Sequence, residues 1–343
     1  MAITIKDIAR EFGVAPSTVS NALNGRYKGA YRKTAARSEE IRSYAEQHGY
    51  RPNGAARAIR AQRTYQVGAL LPNQPERPFN HPNDFETLLG LNAGLQTAGY
   101  VVSIIRLADL TQEVLSHTKL FSEKTLEGMV VLGGHSEEMI AEFEKLVPNI
   151  VWADTNVWRD TGCIRRDETA AGHEAVEQAA ALGYRRILWL GYPDNPRSLH
   201  YSHIERSAGA FSAAKEAGLE SHRYAIDLDD TESDQWDRLL PELAPDTALV
   251  VESVYHAQAL SHVLAAAGRT APRNFGLVCC DGSQDMNRLW PDLSRVAFER
   301  FDMGWQAGEM LRSMIEDDEE DIQNKSRILR GTWIQGKTIQ PCT

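Results

Sequence analysis

Few side chains in this sequence are spaced for covalent chemistry, and the ones that stand out are suited to recognition instead. The run HYSH at 200–203 offers two imidazoles without a third ligand, so it reads as loop and no metal is expected. The four cysteines form no CxxC pattern, and Cys279 and Cys280 sit side by side in an apolar run that reads as a buried strand. They are expected to be reduced thiols. No nucleophile–base set and no phosphate-cradling loop is visible, so neither an enzyme nor a cofactor is expected. The informative chemistry is charge. Residues 1–63 hold twelve Lys/Arg against five Asp/Glu, while the whole chain of 343 residues carries a net charge of −10. A basic head on an acidic body points to a polyanion as the head's partner.

The elements that position this charge can be read locally. Thr4 followed by Asp7 is a capping box opening a helix, with Ile5, Ile8, Ala9 and Phe12 on its inner side and Gly13 at its end. Val14 and Ala15 form a turn, and Pro16 starts a second helix that reaches about Asn24 and buries Val19 and Leu23. Ala9, Gly13 and Val19 have the spacing of a helix-turn-helix. The segment RYKGAYRKTAARSEE, with Arg26, Lys28, Arg32, Lys33 and Arg37, reads either as extra phosphate contacts or as a solvated loop before a third helix. Pro52 breaks that helix and Asn53 can cap another, running to Arg60. A helix that short is below the ~12–15 residues needed for marginal stability alone, so it is expected to form only against a partner.

From Gln66 onward, apolar runs alternate with helical patterns. QVGALLP, YVVSIIR, GMVVLGG and NIVWADT read as strands, with helices at 84–98, 111–125 and 136–147 between them. The alternation restarts with a helix at 168–182, RRILWLG, a helix at 203–217, RYAIDL, a helix at 232–243, TALVVES, a helix at 255–267 and FGLVCCD. Two such halves predict two α/β lobes with parallel sheets and a ligand cleft beyond the strands' carboxyl ends. Phe79, Trp158, Tyr192 and Phe298 follow strand ends and are candidates to stack on a sugar ring. Asp317 to Asp321 reads as a solvated acidic loop. The first dozen residues carry charge and lack an apolar core, and no run of ~18 apolar residues could span a bilayer. A cytoplasmic protein with no membrane role is expected.

TIKDIAREFGVAPSTVSNALNG and HGYRPNGAARAIRAQRT closely resemble the head and hinge of the LacI/GalR family of repressors. DETAAGHEAVEQAAALGYRRILWLG, IERSAGAFSAAKEAGL, VCCDGS and FDMGWQAGEMLRSMI resemble that family's effector domain more loosely. The resemblance implies an all-α helix-turn-helix head at 1–51, a hinge at 52–63 and a two-lobed periplasmic-binding-protein-like body at 64–343. The first lobe is expected at about 64–165 and 298–325, the second at about 166–297 and 326–343. It implies that Pro16, Ser17 and Asn21 read bases, with Thr18 and Ser20 on phosphates. Thr4 is a further candidate DNA contact, and so is Arg26, in a segment a few residues longer than the family's usual spacing. Asn53, Ala56, Arg57 and Arg60 would line the hinge's path in the minor groove, where Ile59 takes the place of a wedging Leu. Asn21 stands where the family often has Arg, which favours adenine over guanine.

In the body the resemblance assigns effector contacts to Arg206 and Asp281. The pair suits a ligand carboxylate or phosphate clamped by the guanidinium with hydroxyls on the carboxylate, or else a structural salt bridge across the cleft. Ser253 and Val254 replace the family's usual Asn-Asp pair. The implied protein is an effector-responsive repressor of a pseudo-palindromic operator. It is a homodimer, favoured over a tetramer because no heptad tail follows GTWIQGKTIQ, and its effector is a carbohydrate or derivative. Two alternatives remain at this point: a regulator answering to a protein partner with a vestigial cleft, and a solute-binding protein.

Overall fold

The computed structural model describes all residues except 1–2, 25–31, 53, 55–57, 60–61, 72–81, 107–117, 194–199, 229–233, 283–289, 317–323 and 343. It divides into two compact units, Met1–Thr64 and Tyr65–Thr343.

The smaller unit holds α1 (Ile5–Phe12), α2 (Pro16–Leu23) and α3 (Arg32–Gln47). The capping box forms, with Asp7 N donating to Thr4 Oγ1 at 3.4 Å and Thr4 N donating to Asp7 Oδ2 at 3.1 Å. Gly13 ends α1 at φ 61°, a left-handed conformation that costs other residues more. Ile8, Ala9, Val19, Ala22, Ile41 and Ala45 close a small core, with Ile5, Phe12 and Leu23 packed around it. The segment read as contacts or loop before the third helix divides: α3 already begins at Arg32. Within it, Arg37 Nη2 donates to Phe12 O at 2.8 Å and its guanidinium lies 5.0 Å from the Phe12 ring. That residue serves the end of α1, because a cation and a donor satisfy the orphan carbonyls there.

The larger unit contains two six-stranded sheets. The first runs in the order β11 (Arg327–Leu329), β5 (Cys163–Arg166), β4 (Ile150–Ala153), β3 (Gly128–Leu132), β1 (Gln66–Leu70), β2 (Val101–Ile105), all parallel. The second runs β12 (Thr332–Ile334), β10 (Ser294–Ala297), β9 (Gly276–Gly282), β8 (Thr247–Val251), β6 (Arg186–Gly191), β7 (Glu220–Ala225), parallel except for β12. The helices, in chain order, are α4 (Pro82–Gln96), α5 (Lys119–Ser122), α6 (Glu137–Leu146), α7 (Glu168–Ala181), α8 (Tyr201–Glu216), α9 (Gln235–Leu239), α10 (Val254–Ala266) and α11 (Arg300–Glu316). The central strands β3, β8 and β9 are buried along their whole length, as parallel strands covered on both faces must be.

The chain passes between lobes three times: from β5 into α7, from β10 into α11, and from β11 into β12. Helix pairs bracket each lobe closely. An added Cβ at Gly304 of α11 would stand 1.9 Å from Thr87 O of α4, and one at Gly172 of α7 would stand 1.9 Å from Arg206 O of α8.

Several expectations shift. The second lobe does not take all of 326–343, because β11 completes the first sheet beside β5. The strand expected at RYAIDL occupies Glu220–Ala225, since an edge strand paired only to β6 needs little apolar character. The helix expected at 111–125 is described only as Lys119–Ser122, and 107–117 lie outside the described residues. Strands β5, β10, β11 and β12 are too short and too polar to stand out by pattern.

Candidate DNA-reading surface and effector cleft

In the small unit, burial of Val19 and Ala22 turns the other side of α2 to solvent. Pro16 and Ser17 are exposed, while Thr18, Ser20 and Asn21 are half-buried. These short polar side chains, on a helix begun by proline, form a surface suited to base edges and phosphates. Thr4 is occupied by its capping box. In the hinge, Gly54, Ala58 and Ile59 are helical, and Arg63 N donates to Ala58 O at 3.1 Å. Ile59 is 80% exposed, a large apolar side chain facing water. Arg26, Asn53, Ala56, Arg57 and Arg60 lie outside the described residues.

In the large unit, strand ends and crossovers bring six charged side chains together: Arg166, Arg206 and Arg300 with Asp154, Glu168 and Asp281. Asp154 follows β4 and takes a left-handed backbone, φ 56°, which Asp tolerates better than most residues. Its Oδ1 accepts from Arg166 Nη2 at 3.1 Å and from Tyr201 Oη at 2.6 Å, and its Oδ2 accepts from Arg300 Nη1 at 3.2 Å. Asp281, at the end of β9, meets Arg300 Nη2 at 2.6 Å, Arg166 Nη1 at 3.5 Å and Arg206 Nη2 at 3.7 Å. Arg206 Nε donates to Glu168 Oε2 at 2.7 Å and its Nη1 to Glu252 O at 2.5 Å, and Arg166 also pairs with Glu168.

The electrostatics follow from burial and pairing. Burial alone would raise the Asp154 and Asp281 carboxyls, but the surrounding guanidiniums hold both well below the usual carboxylate range. Burial lowers His200 to about 3, so this imidazole is neutral; its Nε2 lies 2.6 Å from Asp154 O. His256, buried behind Tyr192, is likewise lowered to about 4.

The residues singled out by sequence therefore divide. Arg206 and Asp281 come together, but both belong to the second lobe, so the pair does not span the cleft. Phe298 is buried as wall, with the Arg166 guanidinium 5.2 Å from its ring. Ser253 caps α10, its Oγ accepting from His256 N at 3.4 Å and lying 3.0 Å from His256 Nδ1. Trp158 is 39% exposed, with the Arg165 guanidinium 4.6 Å from its ring. Tyr192 meets His256 edge-on at 4.3 Å. Phe79 lies outside the described residues. His200 and His203 of HYSH touch different partners, Asp154 and Glu252, and no metal-ligand group occurs among the described residues.

Sequence reasoning missed Asp154, Arg166, Glu168, Tyr201, Glu252 and Arg300. Asp154 was findable, since it ends the strand NIVWADT. Arg166 and Arg300 sit at crossovers, where a charged residue beside a short strand looks like solvated surface.

Comparison with known proteins agrees with the two-part architecture. A family model described as bacterial regulatory proteins, lacI family, matches residues 4–53, and one described as periplasmic binding protein-like domain matches 176–339. Catabolite control protein A of Priestia megaterium is 25% identical over 333 residues, covering 94% of this chain and 95% of that protein. The lac repressor dimer bound to operator and the anti-inducer ONPF superposes with a TM-score of 0.77 at 16% identity, over 99% of this chain and 100% of that one. The transcriptional regulator CelR in complex with cellobiose gives 0.65 at 20% identity, over 98% and 100%. The head thus matches a lacI-family regulatory domain and the body a periplasmic binding protein-like domain, and catabolite control protein A aligns with the two along nearly the whole chain.

Proposed function

We propose that the protein is a cytoplasmic homodimeric repressor, acting by binding rather than catalysis. It reads two half-sites of a pseudo-palindromic operator and releases or tightens its grip when a carbohydrate or carbohydrate derivative enters the cleft. The observation that carries this is the convergence of Arg206, Asp281 and Asp154, from one helix and two strand ends, at the junction of two lobes. Carboxylates there suit hydroxyl donors, and the guanidinium suits a carboxylate or phosphate. CelR, which shares the fold, holds cellobiose. The exposed Ile59 fits a hinge that completes itself against a second copy and DNA. Site selection from random duplexes, followed by fluorescence anisotropy with and without sugars and sugar acids, tests the reading. It expects one selected site whose affinity shifts with one ligand class. Failure to prefer any duplex over random competitor overturns it.

A second reading has one observation in its favour. Among the described residues, Arg166, Arg206 and Arg300 each already have a carboxylate partner, as a vestigial cleft answering to a protein partner would allow. Calorimetry separates the two: saturable heat with a sugar or sugar acid favours sensing, and none across that library favours the partner.

A further inference from the structure

The charges at the cleft are divided unevenly between the lobes. Asp154, Arg166 and Arg300 stand on the first lobe or on the crossovers joined to it, so that side carries one net positive charge. Glu168, Arg206 and Asp281 stand on the second, which carries one net negative charge. Neither set is neutral until the lobes meet.

We propose that Arg300 and Arg166 are positioning residues that hold the lobes together without any effector, so that the resting receptor is closed by its own side chains. Arg300 bridges Asp154 and Asp281 with separate nitrogens, at 3.2 and 2.6 Å. Arg166 bridges the same two carboxylates, using Nε and Nη2 on Asp154 and Nη1 on Asp281. Uncharged groups also bond across at the same place: Tyr201 Oη donates to the Asp154 carboxylate at 2.6 Å, Tyr201 N donates to Asn156 Oδ1 at 2.7 Å, and His200 Nε2 lies 2.6 Å from Asp154 O. Further out, Arg165 pairs with Glu205 at 3.4 Å, and its guanidinium lies near both Trp158 and Tyr201.

Arg166, Arg300 and Asp281 are all less than a tenth exposed, so water screens these pairs little. Parting the lobes leaves each with an unbalanced charge to hydrate. The carboxylates expected to meet an effector are therefore already engaged, and a ligand gains entry by exchanging with Arg300 and Arg166. The lobe angle would then report ligand binding as a two-state shift.

The test uses the full chain without ligand. Glu137→Cys and Lys215→Cys place dyes on exposed positions of the two lobes, with Cys342→Ser removing the half-buried native thiol. Single-molecule energy transfer is expected to show one closed population for the parent. Arg300→Met is expected to raise the open population at least roughly tenfold, with Arg300→Lys restoring part of the closed state. Tyr201→Phe removes only that hydroxyl's two bonds, one donated to Asp154 Oδ1 and one accepted from Arg166 N at 3.0 Å, and should shift the same way by less, which keeps the test decisive if Arg300→Met fails to fold. A parent that is already open, or folded Arg300 and Tyr201 variants with the parent's distribution, overturns the proposal. Neither result depends on the effector's identity, so the sensing reading stands or falls separately.

Discussion

Arg300 Nη2 lies 2.6 Å from Asp281 Oδ1, and this contact joins the first residue of a helix packed on one lobe to a strand end of the other. Both side chains are buried, so their value depends on each other's presence. Removing one charge strands the rest. Asp281→Asn leaves three guanidiniums facing two carboxylates, and the free energy of unfolding is expected to fall by about 3–5 kcal/mol. Asp281→Asn with Arg300→Met restores the balance and should recover most of that loss. Urea unfolding of the single and double variants checks this, and equal losses in the two would refute the pairing.

The buried imidazoles give the fold a pH dependence with a definite sign. Burial depresses His200 to about 3 and His256 to about 4, whereas both titrate near 6.5 once unfolded. Below 6.5 the unfolded chain therefore binds protons that the folded protein excludes. The stability they contribute is fully present above pH 6.5 and is lost as pH falls toward 4 and then 3. Two such groups give a slope of up to about 2.7 kcal/mol per pH unit. Melting temperatures from about pH 8 to about pH 5 should hold and then drop, and His256→Gln should soften the drop. A flat profile over that range sinks the claim.

Helices α4 and α11 touch backbone to backbone. A Cβ at Gly304 would stand 1.9 Å from Thr87 O, and one at Gly90 would stand 1.9 Å from Phe301 O. Alanine improves helix propensity by only about 1 kcal/mol over glycine. Forcing the helices apart costs about 1–3 kcal/mol or more, so sterics win. Gly304→Ala is expected to lower the unfolding midpoint, while Gly134→Ala, where a Cβ meets nothing within 4 Å, should leave it unchanged. Equal midpoints for the two variants would contradict the close packing.

Much of this architecture was legible because it rests on short-range chemistry. Thr4 with Asp7, Gly13 and Pro16 mark helix ends whatever else the chain does, and the apolar runs of β3, β8 and β9 follow from burial on both faces. The six-charge cluster was not legible, because its members are brought together from distant parts of the chain. Arg206 was identified, but its partner Glu168 lies 38 residues away at a helix start, where an acid looks like an ordinary first-turn residue. Arg300 binds Asp154 from 146 residues away, and pattern alone gives no sign of that.

The head makes a prediction about sequence preference. Val19 and Ala22 are buried in the three-helix core, and Asn21 lies between them in sequence, half-exposed beside the open Ser17 face. An asparagine amide can pair with adenine N6 and N7 at once, whereas a guanidinium matches guanine O6 and N7. Site selection should therefore return A·T at the base pair under Asn21. Asn21→Arg should move the preference to G·C, with discrimination of about 1–3 kcal/mol at that position and little change elsewhere. Because Val19 and Ala22 keep the helix seated, the variant head should retain its fold, so loss of preference cannot be ascribed to unfolding if circular dichroism is unchanged. Invariant G·C under the parent Asn21 would show that this side chain does not read the base.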